Sequence, residues 1–463
     1  MLDPVLARID RDFDAGVERW SQLLRIPSIS TDPAHGDDMR RAAQWLLDTL
    51  GEIGFEGGIR ETDGHPAVLM QHPGPGGDAP HLLYYGHYDV QPPDPLEEWD
   101  ADPFEPTLVD GPHGRRMVAR GAVDDKGQLM MWVEALRAWH AEHGGLPVRA
   151  TVLIEGEEEV GSRNLRPFLE RWRDQLDADV CVVSDTTMWD IDTPAVTYTL
   201  RGLLYAEITC RGPGRDLHSG FYGGVAANPI NALARVLASL QDADGRIRVE
   251  GFYDDVIEPG ADELAAWRGL NLDTGRFLGA AGIDQPGGGE GDRSLLERVW
   301  SRPTCDVNGI LGGFTGAGAK TVIPTHAAAK VSFRLVPEQD PERLAAALQR
   351  HVEQVTPAGC RCEVEIHSAA PAYRVAPESP WLQAAMAAMG TVYGRAAVPI
   401  GCGGSIPIAA WIRELLGIDT LLMGFSLEDD GMHSPNEKFE LVCFERGIKS
   451  HAALLEQVRQ RHE

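Results

Sequence analysis

The 463-residue sequence predicts an α/β fold with a mostly parallel sheet, interrupted by a smaller inserted α+β domain. Three observations carry this expectation. Short apolar runs alternate with helix-like segments through the first 200 residues, the pattern of right-handed crossovers onto a parallel sheet. From about Thr197 the pattern changes to half-exposed strands mixed with amphipathic helices. After Pro377 the first pattern resumes. The simplest division is therefore 1–196, an insertion at 197–375, and a return to the first domain at 376–463.

Taken in order, His81 to Tyr85, Arg149 to Ile154 and Val180 to Val183 are apolar runs of strand length, and Gln128 to Glu142 between them reads as a helix. In the insertion, Tyr198 to Cys210 and Ala329 to Val336 read as strands, and Pro229 to Leu240 and Asp340 to Val355 as amphipathic helices. Gln241 to Asp306 is acidic, and its Gln285-Pro-Gly-Gly-Gly-Glu-Gly291 segment predicts a mobile loop. A helix around Trp381 to Met389 and an apolar run from Leu421 to Phe425 complete the first domain.

Composition narrows the function classes. Hydrophobic residues make up 43% and charged residues 24%, values of an ordinary globular chain. Seventy acidic against 42 basic residues give a net charge of -28, which argues against nucleic-acid and anionic-membrane partners. The seven cysteines are scattered without a C-x-x-C pair, so the expectation is reduced, structural thiols and neither a disulfide framework nor a thiolate zinc site. With no secretory-type apolar stretch among residues 1–20, a cytoplasmic location is the default.

The chemistry-bearing residues sit where strands end. His87 and Asp89 follow the run Leu82-Leu-Tyr-Tyr-Gly86, and in open α/β sheets ligands bind beyond the carboxyl ends of strands. Asp124 and Asp125 precede a helix, where capping alone explains one aspartate. The strand ending Val152-Leu-Ile154 runs into Glu155, Glu157, Glu158 and Glu159. Such a run is normally a solvated face, but at a strand end the carboxylates repel one another unless a cation sits among them. Asp185 closes another strand, and His433 follows a fourth. Each is weak evidence alone; together these five sites form a mixed histidine and carboxylate set that zinc, manganese or cobalt accepts. Gly313 to Thr321 departs from a phosphate loop, and neither a G-x-S-x-G elbow nor an H-E-x-x-H helix occurs.

His87-Tyr-Asp89, Arg120-Gly-Ala-Val-Asp-Asp-Lys-Gly127, Glu155-Gly-Glu-Glu-Glu-Val-Gly-Ser162, Ser184-Asp185 and Gly431-Met-His-Ser434 resemble, in order, the motifs of the two-metal exopeptidases. That family includes carnosine and non-specific dipeptidases, aminoacylases, glutamate carboxypeptidases and succinyl-diaminopimelate desuccinylases. The resemblance runs from about Trp20 to the C-terminus. It implies a catalytic domain with an inserted lid and dimerisation domain, two divalent ions, zinc first with manganese or cobalt as alternatives, and a homodimer acting on small peptides. His87 and Asp185 would then hold one ion, Glu159 and His433 the other, with Asp124 bridging. Asp89 would orient His87, Glu158 would be the general base, and Glu157 and Asp125 would stay a solvated charge and a capping residue.

Within the insertion, Asp216-Leu-His-Ser-Gly-Phe-Tyr-Gly-Gly224, Ala319-Lys-Thr-Val-Ile-Pro324 and Ser332-Phe-Arg-Leu-Val-Pro337 resemble lid motifs of the dipeptidase branch. By that resemblance His218 would stabilise the oxyanion in the partner subunit, and Arg334 and Thr321 would hold the substrate carboxylate. Gly401-Cys-Gly-Gly-Ser-Ile-Pro407 resembles the substrate loop, with Ser405 contacting substrate. Dipeptidase relatives often carry Arg-Glu where this chain has Gly401 and Cys402. The alternatives are an N-acyl or N-carbamoyl amino acid amidohydrolase, and, more remotely, a silent metal-binding scaffold.

Overall fold

A computed structural model describes residues 1–462, which form two compact units. The first comprises Met1–Tyr198, Val375–Ile400 and the chain from Trp411 onward; the second comprises Thr199–Arg374 and Gly401–Ala410. The sequence division placed all of 376–463 with the first domain, and the structure differs at Gly401–Ala410. This segment is tied to the insertion by hydrogen bonds: Arg201 Nε donates to Gly403 O at 3.0 Å and Arg334 Nη1 to Ser405 Oγ at 3.1 Å.

In the first unit the strands Arg149–Glu155, His81–His87, Val180–Val183 and Asp419–Leu422 lie side by side in that order, all parallel. They are buried along almost their whole length, which is why they read as unbroken apolar runs. The flanks are antiparallel: Ala67–His72 and then Glu56–Arg60 on one side, Ala195–Leu200 on the other. Register sets His87 opposite Glu155, Tyr85 opposite Val183 and Leu422 beside Val183. The segments that leave these strands therefore start from one edge of the sheet.

The helices Leu2–Leu24, Lys126–His143 and Leu441–His462 pack on one another, with Trp20 stacked on Phe444 at 4.5 Å between ring centres. Lys126–His143 is apolar on nearly all sides and is buried accordingly. No helix among the described residues is long and apolar enough to cross a membrane.

In the second unit Thr304–Gly312, His326–Leu335, Gly202–Arg211 and Arg361–Ala370 form an antiparallel sheet in that order. Leu204, Ala206, Ile208 and Cys210 alternate inward on the Gly202–Arg211 strand, and the helices Pro229–Ser239 and Pro341–Val355 contribute to the same core. Asn228 and Asp340 cap these helices through side-chain oxygens, each before a proline at the first turn. The predicted single strand from Tyr198 to Cys210 is two strands, Ala195–Leu200 and Gly202–Arg211, broken at Arg201.

Two further expectations are overturned. Cys210 and Cys362 are directly paired across antiparallel strands and form a disulfide, which a sequence separation of 152 concealed. The Gln241 to Asp306 stretch holds the helices Ala261–Gly269, Thr274–Ala280 and Leu295–Trp300. Within its glycine-rich segment Glu290 is buried and ion-paired with the equally buried Arg302 at 2.8 Å, so that segment is anchored rather than simply a loop.

Candidate metal centre

His87 ends its strand, Asp185 lies two residues past the end of Val180–Val183, and Glu158 and Glu159 open the short helix Glu158–Val160 after Arg149–Glu155. His433 follows Asp419–Leu422 and has a left-handed backbone, φ 61°, unusual for a side chain of this size. Asp124 sits just before Lys126–His143.

Two groups of potential ligand atoms result: His87, Asp124 and Asp185 in one, and Asp124, Glu159 and His433 in the other. Within each, one atom per residue lies within 4.8 Å of the others, and Asp124 belongs to both. His87 Nε2 is 3.2 Å from Asp124 Oδ1 and 3.9 Å from Asp185 Oδ2. His433 Nε2 is 3.0 Å from Asp124 Oδ2 and 3.2 Å from Glu159 Oε2. The two oxygens of Asp124 thus face different histidines.

The surroundings fix these side chains. His87 Nδ1 faces the Asp89 carbonyl oxygen at 3.1 Å and carboxylate Oδ1 at 3.3 Å, which leaves Nε2 for the centre. The Asp89 carboxylate also accepts from the amides of Glu158 and Glu159 at 3.3 and 3.1 Å. One aspartate therefore serves both the histidine and the glutamate turn. Gln91 Nε2 donates to Glu159 Oε2 at 2.8 Å.

Electrostatics points the same way. Burial and the neighbouring Asp124 push Asp185 up to about 7. Burial, with Asp185 and Glu159 nearby, pushes Glu158 up to about 9. Hydrogen bonds to Asp124 and Glu159 raise His433 to about 10. Burial pulls the His87 imidazole down, but Asp124 and Asp89 outweigh it and hold it well above its ordinary range. Asp124 is driven up by burial, yet His433 and His87 keep it below the usual carboxylate range. Crowded acids that hold protons, with histidines as their counter-charges, describe a site suited to cations. His87 Nε2 is also buried without a hydrogen-bond partner. The donor set fits a divalent metal.

Two bland readings are corrected. Asp125 stands at the N-cap position of Lys126–His143 but makes no capping bond; its Oδ2 accepts instead from the His87 amide at 3.2 Å. Glu157 is not solvated, because Asn164 Nδ2 donates to both its oxygens at 3.1 and 2.9 Å and buries it.

Sequence reasoning missed Glu437, a buried carboxylate four residues after His433 whose oxygens accept from the Asp124 segment. The available signal was an acid directly following a ligand motif and leading into the short strand Lys438–Glu440. It also missed Arg201, whose guanidinium is lowered to about 10 by burial and by Arg334.

The remaining candidates belong to the second unit and fall into two pairs. Leu217–His218 pairs with Val322–Ile323, and Ser219 N donates to Thr321 O at 3.1 Å, so His218 and Thr321 share one exposed ribbon. His218 Nδ1 accepts from Gly220 N at 3.0 Å, with Phe221 against its ring. Arg334 meets Ser405 Oγ, which in turn donates to Arg201 O at 2.5 Å.

Residues 83–457 match peptidase family M20/M25/M40. The chain is 32% identical to the Cys-Gly metallodipeptidase DUG1 of Saccharomyces cerevisiae, over 98% of both chains. It is 31% identical to the human Beta-Ala-His dipeptidase, over all of this chain and 94% of that protein. Among solved structures it is similar to Sso-CP2, an M20 family metallo-carboxypeptidase of Sulfolobus solfataricus, with a TM-score of 0.82 and 30% identity over 96% of this chain and 99% of that one.

Proposed function

This chain belongs to peptidase family M20/M25/M40 and is a metallopeptidase, and from that premise we propose that it hydrolyses the amide bond of dipeptides with a free C-terminal carboxylate. The observation that carries the reading is the pair of ligand groups sharing Asp124, with Glu158 beside them. Relatives named for Cys-Gly and Beta-Ala-His substrates support small dipeptides as the class.

In this reading His87 and Asp185 hold one cation, Glu159 and His433 the other, and Asp124 both, with zinc the first assignment and manganese or cobalt accepted by the same donors. Two such ions supply Lewis acidity toward the scissile carbonyl and a water of lowered pKa. Glu158 takes the proton of the attacking water and returns it to the leaving amine. Burial alone would keep Glu158 protonated, and nearby positive charge is what frees it to act as a base. Asp89 fixes the His87 ring and the Glu158 turn together.

Arg334, Thr321 and Ser405 receive the substrate carboxylate, and His218, supplied by a second copy of the chain, stabilises the oxyanion. Support for a homodimer comes from the edge strand Thr304–Gly312, which presents Val307, Ile310 and Leu311 to solvent.

The test is metal-stripped protein assayed on Cys-Gly, Ala-Ala, β-Ala-His and N-acetyl amino acids, with zinc, manganese or cobalt added back. Rescue on dipeptides is expected. Activity confined to N-acetyl amino acids would replace the reading with an amidohydrolase, and no rescue by any ion would end it.

A further inference from the structure

The segment Ala119 to Asp125 lies outside regular secondary structure, yet it carries the one residue common to both ligand groups. Three of its backbone amides, those of Gly121, Val123 and Asp124, are gathered on a single side chain. Glu437 Oε1 accepts from Val123 N at 2.8 Å and Asp124 N at 3.0 Å. Its Oε2 accepts from Gly121 N at 2.9 Å and Arg120 Nη1 at 2.8 Å. The Glu437 carbonyl completes the set by accepting from Ala119 N at 3.1 Å.

All of this is enclosed. Glu437 is 0% exposed and Arg120 1%. Arg120 is further committed through Nη2 to Pro92 O at 3.1 Å, with its guanidinium over the Trp99 ring. A buried amide without an acceptor is costly, so the segment keeps this shape only while the carboxylate is present.

The glutamate is itself held close to a ligand. Asp430, also buried, accepts from Leu427 N and Lys438 Nζ, each at 2.7 Å. The loop carrying His433 is thus closed on both sides of that histidine, by Asp430 before it and Glu437 after it. The 3.0 Å approach of His433 to Asp124 is consequently set from one short stretch, Asp430 to Lys438.

We infer that Glu437 is a positioning residue that aims the two oxygens of Asp124 at the two cation positions, and so couples their occupancy. It does not touch the ions or the substrate. The inference rests on the metal centre proposed above. Glu437→Gln replaces one acceptor oxygen by an NH2 group, which faces either the Val123 and Asp124 amides or the Gly121 amide and Arg120, so the segment carrying Asp124 loses acceptors whichever way the amide turns.

The experiment measures cobalt binding alone, by visible absorbance and chelator competition, on wild type, Glu437→Gln and Glu437→Asp, with the fold checked by circular dichroism. The expected result is two sites in wild type and a 10- to 100-fold loss of affinity at both in each variant, roughly the range for residues that orient ligands. Hydrogen exchange at the amides of Gly121, Val123 and Asp124 should rise in the metal-free variants. As a control for lost burial, Glu290→Gln alters a buried acid of the second unit, paired there with Arg302, and cobalt affinity should not change.

If Glu437→Gln does not fold, Glu437→Asp decides, since it keeps the charge and only withdraws it. Wild-type cobalt affinity at both sites in a folded variant would overturn the inference and leave the metal centre standing. Failure of wild type to bind cobalt would remove the centre itself, and the inference with it.

Discussion

Glu158 shows how much a single residue depends on its neighbours. Its amide is held by Asp89, and burial with surrounding acids drives its carboxyl to about 9. Replacing it by glutamine keeps the shape and removes the base. We expect kcat to fall roughly 10²- to 10⁴-fold while cobalt binding is retained, checked by parallel activity and binding titrations. An unchanged kcat would dismiss Glu158 as the base. His87, Asp124, Glu159, Asp185 and His433 were legible as a set because each follows a strand or precedes a helix, and the parallel sheet brings such ends together. Glu157, Asp125 and Glu437 were not, because their character depends on partners elsewhere in the chain: Asn164, the His87 amide and the Arg120 segment. Charge alone makes Glu157 look solvated, and position alone makes Asp125 look like a helix cap.

At the scale of elements, Lys126 and Gly127 have an explanation that capping could not give. Lys126 Nζ donates to Leu23 O and Ile26 O at 3.2 and 2.6 Å, tying the end of the first helix to the start of Lys126–His143. A Cβ at Gly127 would meet Ala122 O at 1.9 Å and the Phe439 ring at 2.9 Å. Gly127→Ala should therefore cost about 3 kcal/mol in denaturant unfolding. A loss below about 0.5 kcal/mol would mean that the backbone yields there, within the range of an ordinary surface substitution. The strands and long helices were readable because burial on both faces or on one stripe leaves a periodic trace. The helices within Gln241 to Asp306 were missed because, at 9, 7 and 6 residues, they are too short to leave a sustained period. One signal was present: Ser294 and Glu297 form a reciprocal capping box, with bonds of 3.3 and 3.0 Å.

For the whole molecule, acid stability has an identifiable source. His451 is fully buried, hydrogen-bonded to Ser184 Oγ at 3.0 Å and set against Tyr84 and Phe425; burial lowers its pKa to about 3. Below pH 6.5 the unfolded chain binds a proton at this histidine that the folded chain refuses, so stability falls as pH drops from 6.5 toward 3. The contribution is about 1.4 kcal/mol per pH unit inside that window. Denaturant unfolding of wild type and His451→Gln should show their stability difference changing by about 2 kcal/mol between pH 6.5 and 5, in favour of the variant. A constant difference would exclude this origin. Assembly is tested by Ile310→Lys on the exposed edge strand, which should shift a dimer to monomer in sedimentation if that edge joins two copies.

The interruption of the first unit by the second bears on biosynthesis. The ligand candidates begin at residue 87 and end at residue 433, while every strand of the inserted sheet lies between residues 202 and 370. On the ribosome the guest can close its own sheet while its host still lacks the Asp419–Leu422 strand and His433. Any nascent chain halted before that strand would hold one ligand group without the other.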